Sequence, residues 1–155
     1  MGNIITIRDA ALTYQARNGE VEALRGVSFD VAEGEFVSIV GPSGCGKSTL
    51  LGVLETLDGG TVELYGQPVT GASGRMGFMP QRDQLFEWRS IRDNVMLGLQ
   101  IRRDHDPGHH AHVDTLLTRY DVSAFAAKRP DQLSGGMRQR CALIRTLATG
   151  PDILL

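Results

Sequence analysis

The hydrophobic pattern of the first 60 residues predicts strands around one glycine-rich loop. Residues 4–14 are mostly apolar or β-favouring, and positions 27–31 alternate between apolar and polar residues, so both stretches predict strands. The apolar run 36–40 predicts a third strand that is buried. Three of the six residues 41–46 are glycines, and leucines then recur at helical spacing over residues 48–57. The predicted order is therefore strand, loop, helix.

The rest of the chain alternates short strands with helices. Two short strands are predicted at residues 61–65 and 76–79. Apolar residues at helical spacing predict three helices, at residues 95–101, 113–120 and about 135–149. Residues 153–155 begin another apolar strand. This alternation indicates an α/β fold with a helical subdomain.

Composition narrows the class of protein. The 155 residues, 41% hydrophobic and 22% charged, fit one globular domain. The net charge is -2 and the basic residues are scattered, which disfavours DNA or RNA as a partner. No run reaches the roughly 18 apolar residues of a membrane-spanning helix. Cys45 and Cys141 lack metal-ligand spacing, so free thiols in a reducing cytosol are expected.

One segment between the third strand and the first helix fits the phosphate-binding motif G-x-x-x-x-G-K-[ST]. Its residues are Gly41, Pro42, Ser43, Gly44, Cys45, Gly46, Lys47 and Ser48, here called the P-loop. Backbone N–H groups and the helix N-terminus attract phosphate, and Lys47 is expected to reach the β- and γ-phosphates of ATP. We expect Ser48 to bind Mg²⁺ and Thr49 to lie near the α-phosphate. The alternative is a glycine-rich turn that precedes a lysine by chance.

A second motif lies before the last predicted helix: Leu133, Ser134, Gly135, Gly136, Met137, Arg138, Gln139 and Arg140. A serine and two glycines at a helix N-terminus can bind another phosphate. Taken alone, they also fit a serine N-cap with flexible glycines. The segment resembles the signature sequence of ATP-binding-cassette (ABC) ATPases, and it follows the P-loop in the family's order.

That resemblance covers the whole chain and implies a P-loop NTPase of the ABC type. Its expected parts are N-terminal antiparallel strands with a RecA-like core (residues 1–80), a helical subdomain (about 81–140) and a return to the core (141–155). Gln81 resembles the Q-loop glutamine, which in the family touches Mg²⁺ and the attacking water. Tyr14 matches the aromatic residue that stacks on adenine, although it also fits a half-buried strand aromatic.

The resemblance also implies partners. Two such domains pair head to tail, each ATP lying between one P-loop and the other domain's signature, so Lys47 and Ser134 are expected to serve different nucleotides. Residues 79–95 resemble the Q-loop and the following helix of the nitrate, sulfonate and taurine importer group. Leu85, Phe86 and Trp88 are expected to face a membrane permease, with local core as the alternative reading. The family implies a peripheral position on the cytoplasmic face of the membrane, and a periplasmic or extracellular solute-binding protein as an indirect partner.

The family pattern continues beyond Leu155 to a Walker B aspartate, a catalytic glutamate and a switch histidine. None of these three residues occurs within residues 1–155. Asp131 and Asp152 do not replace them, because neither follows an apolar strand. We therefore expect an incomplete core, and ATP binding with poor hydrolysis. The alternatives are a non-hydrolytic nucleotide-responsive module and a soluble ABC ATPase without a permease.

A histidine-rich stretch, residues 105–112, is the last candidate site. Four histidines and neighbouring aspartates there suggest a Zn²⁺ or Ni²⁺ site. Pro107-Gly108 within the stretch favours a solvated loop between helices instead.

Overall fold

The computed structural model describes residues 2–16, 19–52, 57–69 and 74–155. The chain forms two compact units, Met1–Ser73 and Gly74–Leu155. The first unit carries the P-loop, and the second carries Gln81 and the signature segment.

The first unit contains a four-stranded antiparallel sheet in the order β2-β1-β3-β4. Its strands are β1 (Asn3–Ala16), β2 (Gly19–Ala32), β3 (Gly59–Leu64) and β4 (Gln67–Pro68). The three strands predicted from residues 4–14, 27–31 and 61–65 are confirmed, and the first two are longer than the pattern indicated. β1 and β2 pair from Asn3 opposite Ala32 to Ala16 opposite Gly19. This long ribbon is the scaffold against which the P-loop packs.

Helix α1 begins at Lys47, within the last two residues of the P-loop, and is described over Lys47–Gly52. Part of the predicted helix, residues 53–56, lies outside the described residues. Leu50 and Leu57 pack against the buried side chains of Leu12 on β1 and Leu24 on β2. This apolar contact fixes α1, and with it the P-loop, on the β1–β2 ribbon.

The predicted buried strand at residues 36–40 is wrong for this structure. These residues form no strand, and Phe36 and Val40 are 94% and 89% exposed. A strand needs a neighbour to accept and donate its backbone hydrogen bonds, and no described strand pairs with this segment. An apolar run such as residues 36–40 therefore becomes a buried strand only where another strand pairs with it.

The second unit packs helices around one apolar core. Its helices are α2 (Ile91–Val95), α3 (Leu97–Ile101), α4 (Pro107–Arg119) and α5 (Gly135–Leu147), with 3-10 turns at Ser123–Phe125 and Pro130–Gln132. The core includes Ile91, Val95, Val113 and Ile144, all fully buried. Cys141 lies among them, and burial raises the pKa of its thiol to about 11. Cys141 is a free thiol, as the sequence predicted.

A two-stranded parallel sheet closes the second unit. Strand β5 (Met76–Gly77) pairs with β6 (Ile153–Leu154), and Met79 N–H donates to the Leu155 carbonyl at 2.7 Å. Both short strands were predicted. Within the described ranges, no helix is long and apolar enough to cross a membrane.

Helix α4 starts earlier than predicted and includes most of the histidine-rich stretch. Asp106 caps its N-terminus by accepting a hydrogen bond from Gly108 N–H at 2.8 Å, and Pro107 occupies the first turn. The expected solvated loop is therefore mostly helix, because a proline that breaks a helix interior is favourable at its start. The described residues contain no group of three or more side chains that could hold a metal ion.

Candidate functional site

Two glycines give the P-loop its shape. Gly44 and Gly46 have φ angles of +81° and +90°, which favour glycine over other residues. A Cβ atom on Gly46 would also lie 2.6 Å from the Ala23 carbonyl oxygen on β2. The loop thus lies so close to β2 that only glycine fits at position 46. Leu50 N–H then donates to the Gly46 carbonyl at 2.8 Å, the first hydrogen bond of α1.

The ammonium of Lys47 turns back onto its own loop. Its Nζ atom donates to the carbonyls of Gly41 at 2.8 Å and Pro42 at 2.6 Å, and lies 3.5 Å from Cys45 Sγ. The loop therefore curls around a positive charge, while residues 41–45 are exposed. A cation held inside an exposed glycine-rich loop fits a phosphate group. Ser48 and Thr49 stand in the first turn of α1, close enough in sequence to join Lys47 at the same ligand.

Tyr14 lies two residues before the end of β1, near where the chain continues into β2. It pairs with Val21 on β2, and the two side chains are 49% and 52% exposed. Half of the tyrosine surface is thus accessible to a planar ligand that stacks on its ring.

The signature segment opens α5 as a capped helix N-terminus. Ser134 is the N-cap, and its Oγ accepts a hydrogen bond from Met137 N–H at 3.4 Å. Ser134, Gly135 and Gly136 are exposed, and a Cβ atom on Gly136 would meet nothing within 4 Å. Leu133 is buried and Met137 packs against the helical core, so these two anchor the segment. The exposed N-terminus can accept an anion.

Residues 81–84, here called the 81–84 segment, are held by three side chains of α5. Gln139 Nε2 donates to the Gln81 carbonyl at 3.2 Å. Arg145 donates to the carbonyls of Gln84 at 2.7 Å and Asp83 at 2.8 Å. Burial lowers the pKa of the Arg145 guanidinium, and the nearby Asp83 carboxylate opposes that effect.

The third contact is an ion pair. Arg138 Nε lies 3.0 Å from Asp83 Oδ2, and its Nη1 donates to the Leu133 carbonyl at 3.0 Å. The sequence interpretation missed Asp83 and Arg145. A signal was present, because Arg138, Ala142 and Arg145 recur at helical spacing on a face that also carries buried residues. Arginines on such a face need buried acceptors.

The segment expected to face a permease divides into a buried and an exposed part. Leu85 is only 8% exposed and belongs to the helical core, so its assignment to the permease-facing surface is wrong. Gln84, directly before Leu85, has a positive φ of +47°. Trp88 is 70% exposed and its ring centroid lies 4.8 Å from that of Phe86. Of the three apolar side chains, exposed Trp88 and half-buried Phe86 therefore remain available to a partner.

Buried Asn94 of α2 holds the backbone beneath the aromatic pair. Its Oδ1 accepts from Phe86 N–H at 2.7 Å. Its Nδ2 donates to the carbonyls of Phe86 at 3.1 Å, Arg89 at 3.4 Å and Ser90 at 2.9 Å. This side chain is fully buried, which gives the loop a fixed shape.

Comparison with known proteins identifies the class. Residues 24–155 match the family described as ABC transporter, and the chain belongs to that family. The chain superposes on dimeric MJ0796, a bacterial ABC transporter cassette, with a TM-score of 0.84 and 30% identity, covering 97% of this chain and 72% of that one. A dimer of MJ0796 in a post-hydrolysis state with ADP and Pi gives a TM-score of 0.83 at 29% identity, with the same coverage. The chain therefore has part of the fold of an ABC ATPase cassette.

Several of the relatives in sequence are named as importer subunits. The taurine import ATP-binding protein TauB of Jannaschia sp. (strain CCS1) is 42% identical over 97% of this chain and 58% of its own length. The sulfate/thiosulfate import ATP-binding protein CysA of Mycolicibacterium paratuberculosis is also 42% identical, over 97% of this chain and 42% of its own. The chain thus spans little more than half of TauB and less than half of CysA.

Proposed function

We propose that this chain is the nucleotide-binding part of an ABC importer subunit and binds Mg²⁺-ATP through its P-loop. The observation that carries the proposal is the Lys47 ammonium held within the glycine-rich loop by the carbonyls of Gly41 and Pro42. Phosphate oxygens would replace those carbonyls as partners of Nζ, as charge-assisted contacts. Ser48 supplies a hydroxyl for Mg²⁺ and Thr49 lies next to it. ATP, once bound, supplies the free energy that the transporter uses.

Calorimetric titration with Mg²⁺-ATP tests this proposal with a matched control. Lys47 and Lys128 are the only two lysines of the chain. Lys47→Ala removes a charge-assisted contact, so affinity is expected to fall about tenfold to a hundredfold. Lys128→Ala, which also removes one positive charge, is expected to leave the affinity unchanged. Equal affinities for all three proteins would contradict the proposal.

We propose that the other nucleotide contacts are divided between two subunits. In the same chain, Tyr14 stacks on adenine and Gln81 reaches the Mg²⁺ and the attacking water. Ser134, Gly135 and Gly136 present their exposed N-terminus to the ATP of a second copy. The dimeric state of the MJ0796 cassette, one form of which holds ADP and Pi, supports this arrangement.

The aromatic pair Phe86–Trp88 is the proposed contact with the permease, on the cytoplasmic face of the membrane. An exposed tryptophan packed against phenylalanine, over a backbone fixed by Asn94, has the composition of an interface centre. Trp88 is the single tryptophan of the chain, so its fluorescence should shift to the blue when a permease covers it. Binding of permease without such a shift, or undiminished binding by Trp88→Ala, would place the contact elsewhere.

Taurine, or a related sulfonate or nitrate, is the proposed class of solute. A taurine importer subunit supports it at 42% identity, and a sulfate/thiosulfate subunit reaches the same value. The solute would reach the permease through a solute-binding protein outside the membrane. Uptake assays in cells that carry the cognate permease, with taurine and sulfate as competing solutes, test this class.

We also propose that residues 1–155 alone bind ATP but hydrolyse it slowly. Asp152 precedes strand β6 and is paired with Arg75 at 3.8 Å, so it is not placed as a general base at the end of a strand. A general base contributes about 10²–10⁴-fold to such rates. A rate equal to that of a full-length TauB-type subunit under the same conditions would contradict this part.

A further inference from the structure

One guanidinium joins the 81–84 segment to the start of the signature helix. Arg138 Nε donates to the Asp83 carboxylate, and its Nη1 donates to the carbonyl of Leu133, both at 3.0 Å. Leu133 directly precedes Ser134, the N-cap of α5. The Asp83–Arg138–Leu133 bridge therefore links a side chain of the 81–84 segment to the peptide group that orients the cap.

The hydrogen bond of the cap itself is long. Ser134 Oγ and Met137 N are 3.4 Å apart, long for a hydrogen bond of this kind. The Leu133 carbonyl belongs to the peptide unit whose nitrogen is that of Ser134, so a rotation of that peptide moves the cap. Holding the carbonyl on Arg138 restricts such a rotation.

The carboxylate of the bridge is more enclosed than that of an ordinary surface ion pair. The side chains of Arg138 and Asp83 are 37% and 26% exposed, against 38% and 58% for the nearby pair Arg92–Asp114. Lower exposure reduces screening by water, so the pair constrains its two ends more strongly. Arg145 adds to the constraint by holding the carbonyls of Asp83 and Gln84.

We infer that Arg138 is a positioning residue, which transmits displacements of the 81–84 segment to the Ser134 N-terminus through the Asp83–Arg138–Leu133 bridge. The inference rests on the proposed function, in which Gln81 and Ser134 serve different nucleotides. The bridge then makes the state of one nucleotide site alter the shape of the surface offered to the other. Its conformational part can be measured without any nucleotide.

Amide hydrogen exchange by NMR on residues 1–155 tests the bridge. The readout is the exchange rate of Met137 N–H divided by the exchange rate of Ile144 N–H. The Ile144 rate is the reference, because it reports opening of the whole helix α5. Asp83→Asn keeps the shape of the side chain and removes its charge. We expect this ratio to rise roughly threefold to tenfold, as when one hydrogen bond is lost. Arg92→Gln, which breaks the surface pair with Asp114, is expected to leave the ratio unchanged.

A conservative variant separates bridging from simple charge. Arg138→Lys can pair with Asp83, but a single ammonium does not reproduce the two-armed geometry of the guanidinium. We expect Arg138→Lys to raise the ratio as Asp83→Asn does. An unchanged ratio in Asp83→Asn, or full rescue by lysine, would overturn the inference. So would a general loss of stability, with Met137 and Ile144 accelerated equally.

The two proposals fail in different ways. The exchange ratio is measured without ATP, so its outcome does not depend on nucleotide binding. Absence of Mg²⁺-ATP binding by the unmodified chain would refute the proposed function and leave the conformational coupling standing. Normal ATP binding with an unchanged exchange ratio would refute the coupling alone.

Discussion

Alanine substitutions at three glycines around the P-loop give a graded test of its geometry. Each substitution adds the same methyl group. Gly52 lies in α1, its φ is not positive, and a Cβ there would meet nothing within 4 Å. Gly44 has φ +81° and also has open space. Gly46 has φ +90° and would place Cβ 2.6 Å from the Ala23 carbonyl oxygen.

These differences set the expected magnitudes. Gly52→Ala should stabilise the chain by up to about 1 kcal/mol, because alanine is the better helix former. Gly44→Ala should cost about 1–2 kcal/mol, the penalty for a Cβ in the left-handed region. Gly46→Ala adds a backbone clash to that penalty, and the loop must move by roughly 0.8 Å to restore ordinary contact, so about 3 kcal/mol or more is expected.

Urea unfolding and calorimetric titration with Mg²⁺-ATP measure the two consequences. We expect the free energy of unfolding to fall in the order Gly52→Ala, Gly44→Ala, Gly46→Ala. A displaced loop no longer presents its N–H groups and Lys47 together, so the affinity of Gly46→Ala should fall by more than about tenfold. Wild-type affinity and stability in Gly46→Ala would refute the close packing of the P-loop on β2.

Three further perturbations test other parts of the structure. Alkylation of exposed Cys45, whose Sγ lies 3.5 Å from Lys47 Nζ, should block ATP binding, and ATP should slow the labelling; labelling at the same rate with ATP would count against the site. Asn94→Ala should cost about 2–4 kcal/mol by urea unfolding and lower the fluorescence anisotropy of Trp88, because buried backbone groups lose their partners. The Asp106 backbone N–H, and secondarily His109, lower the pKa of Asp104. The stability from Asp104 should therefore be complete above its ordinary value of about 3.9 and lost as pH falls through the lower folded value. A carboxyl NMR titration with a midpoint at or above that value would contradict it.

The sequence predicted most elements because their signals are local. β-favouring residues predicted β1, alternation predicted β2, leucine spacing predicted α1, and the glycine motif located the P-loop ahead of α1. The helix signals were also correct at α5, where Ser134 caps the predicted N-terminus.

The failures arose where burial depends on distant residues. The run 36–40 is apolar but has no described neighbour, so it forms no strand. Leu85 and Trp88 are both large apolar residues of one short segment, so the sequence does not distinguish them. Leu85 nevertheless lies in the core, whereas Trp88 is 70% exposed. The helical spacing of Arg138 and Arg145 indicated that both need acceptors, but it did not identify Asp83, which lies 55 and 62 residues away from them.

An NMR titration of the ¹⁵N-labelled chain with Mg²⁺-ATP tests the central claim most directly, because it locates the ligand. We predict saturable shifts of the amides of Gly41, Gly44, Gly46 and Lys47, accompanied by shifts of the Tyr14 ring protons. Shifts confined to other parts of the chain, or no saturable shifts at all, would contradict the proposal that this chain binds Mg²⁺-ATP through its P-loop.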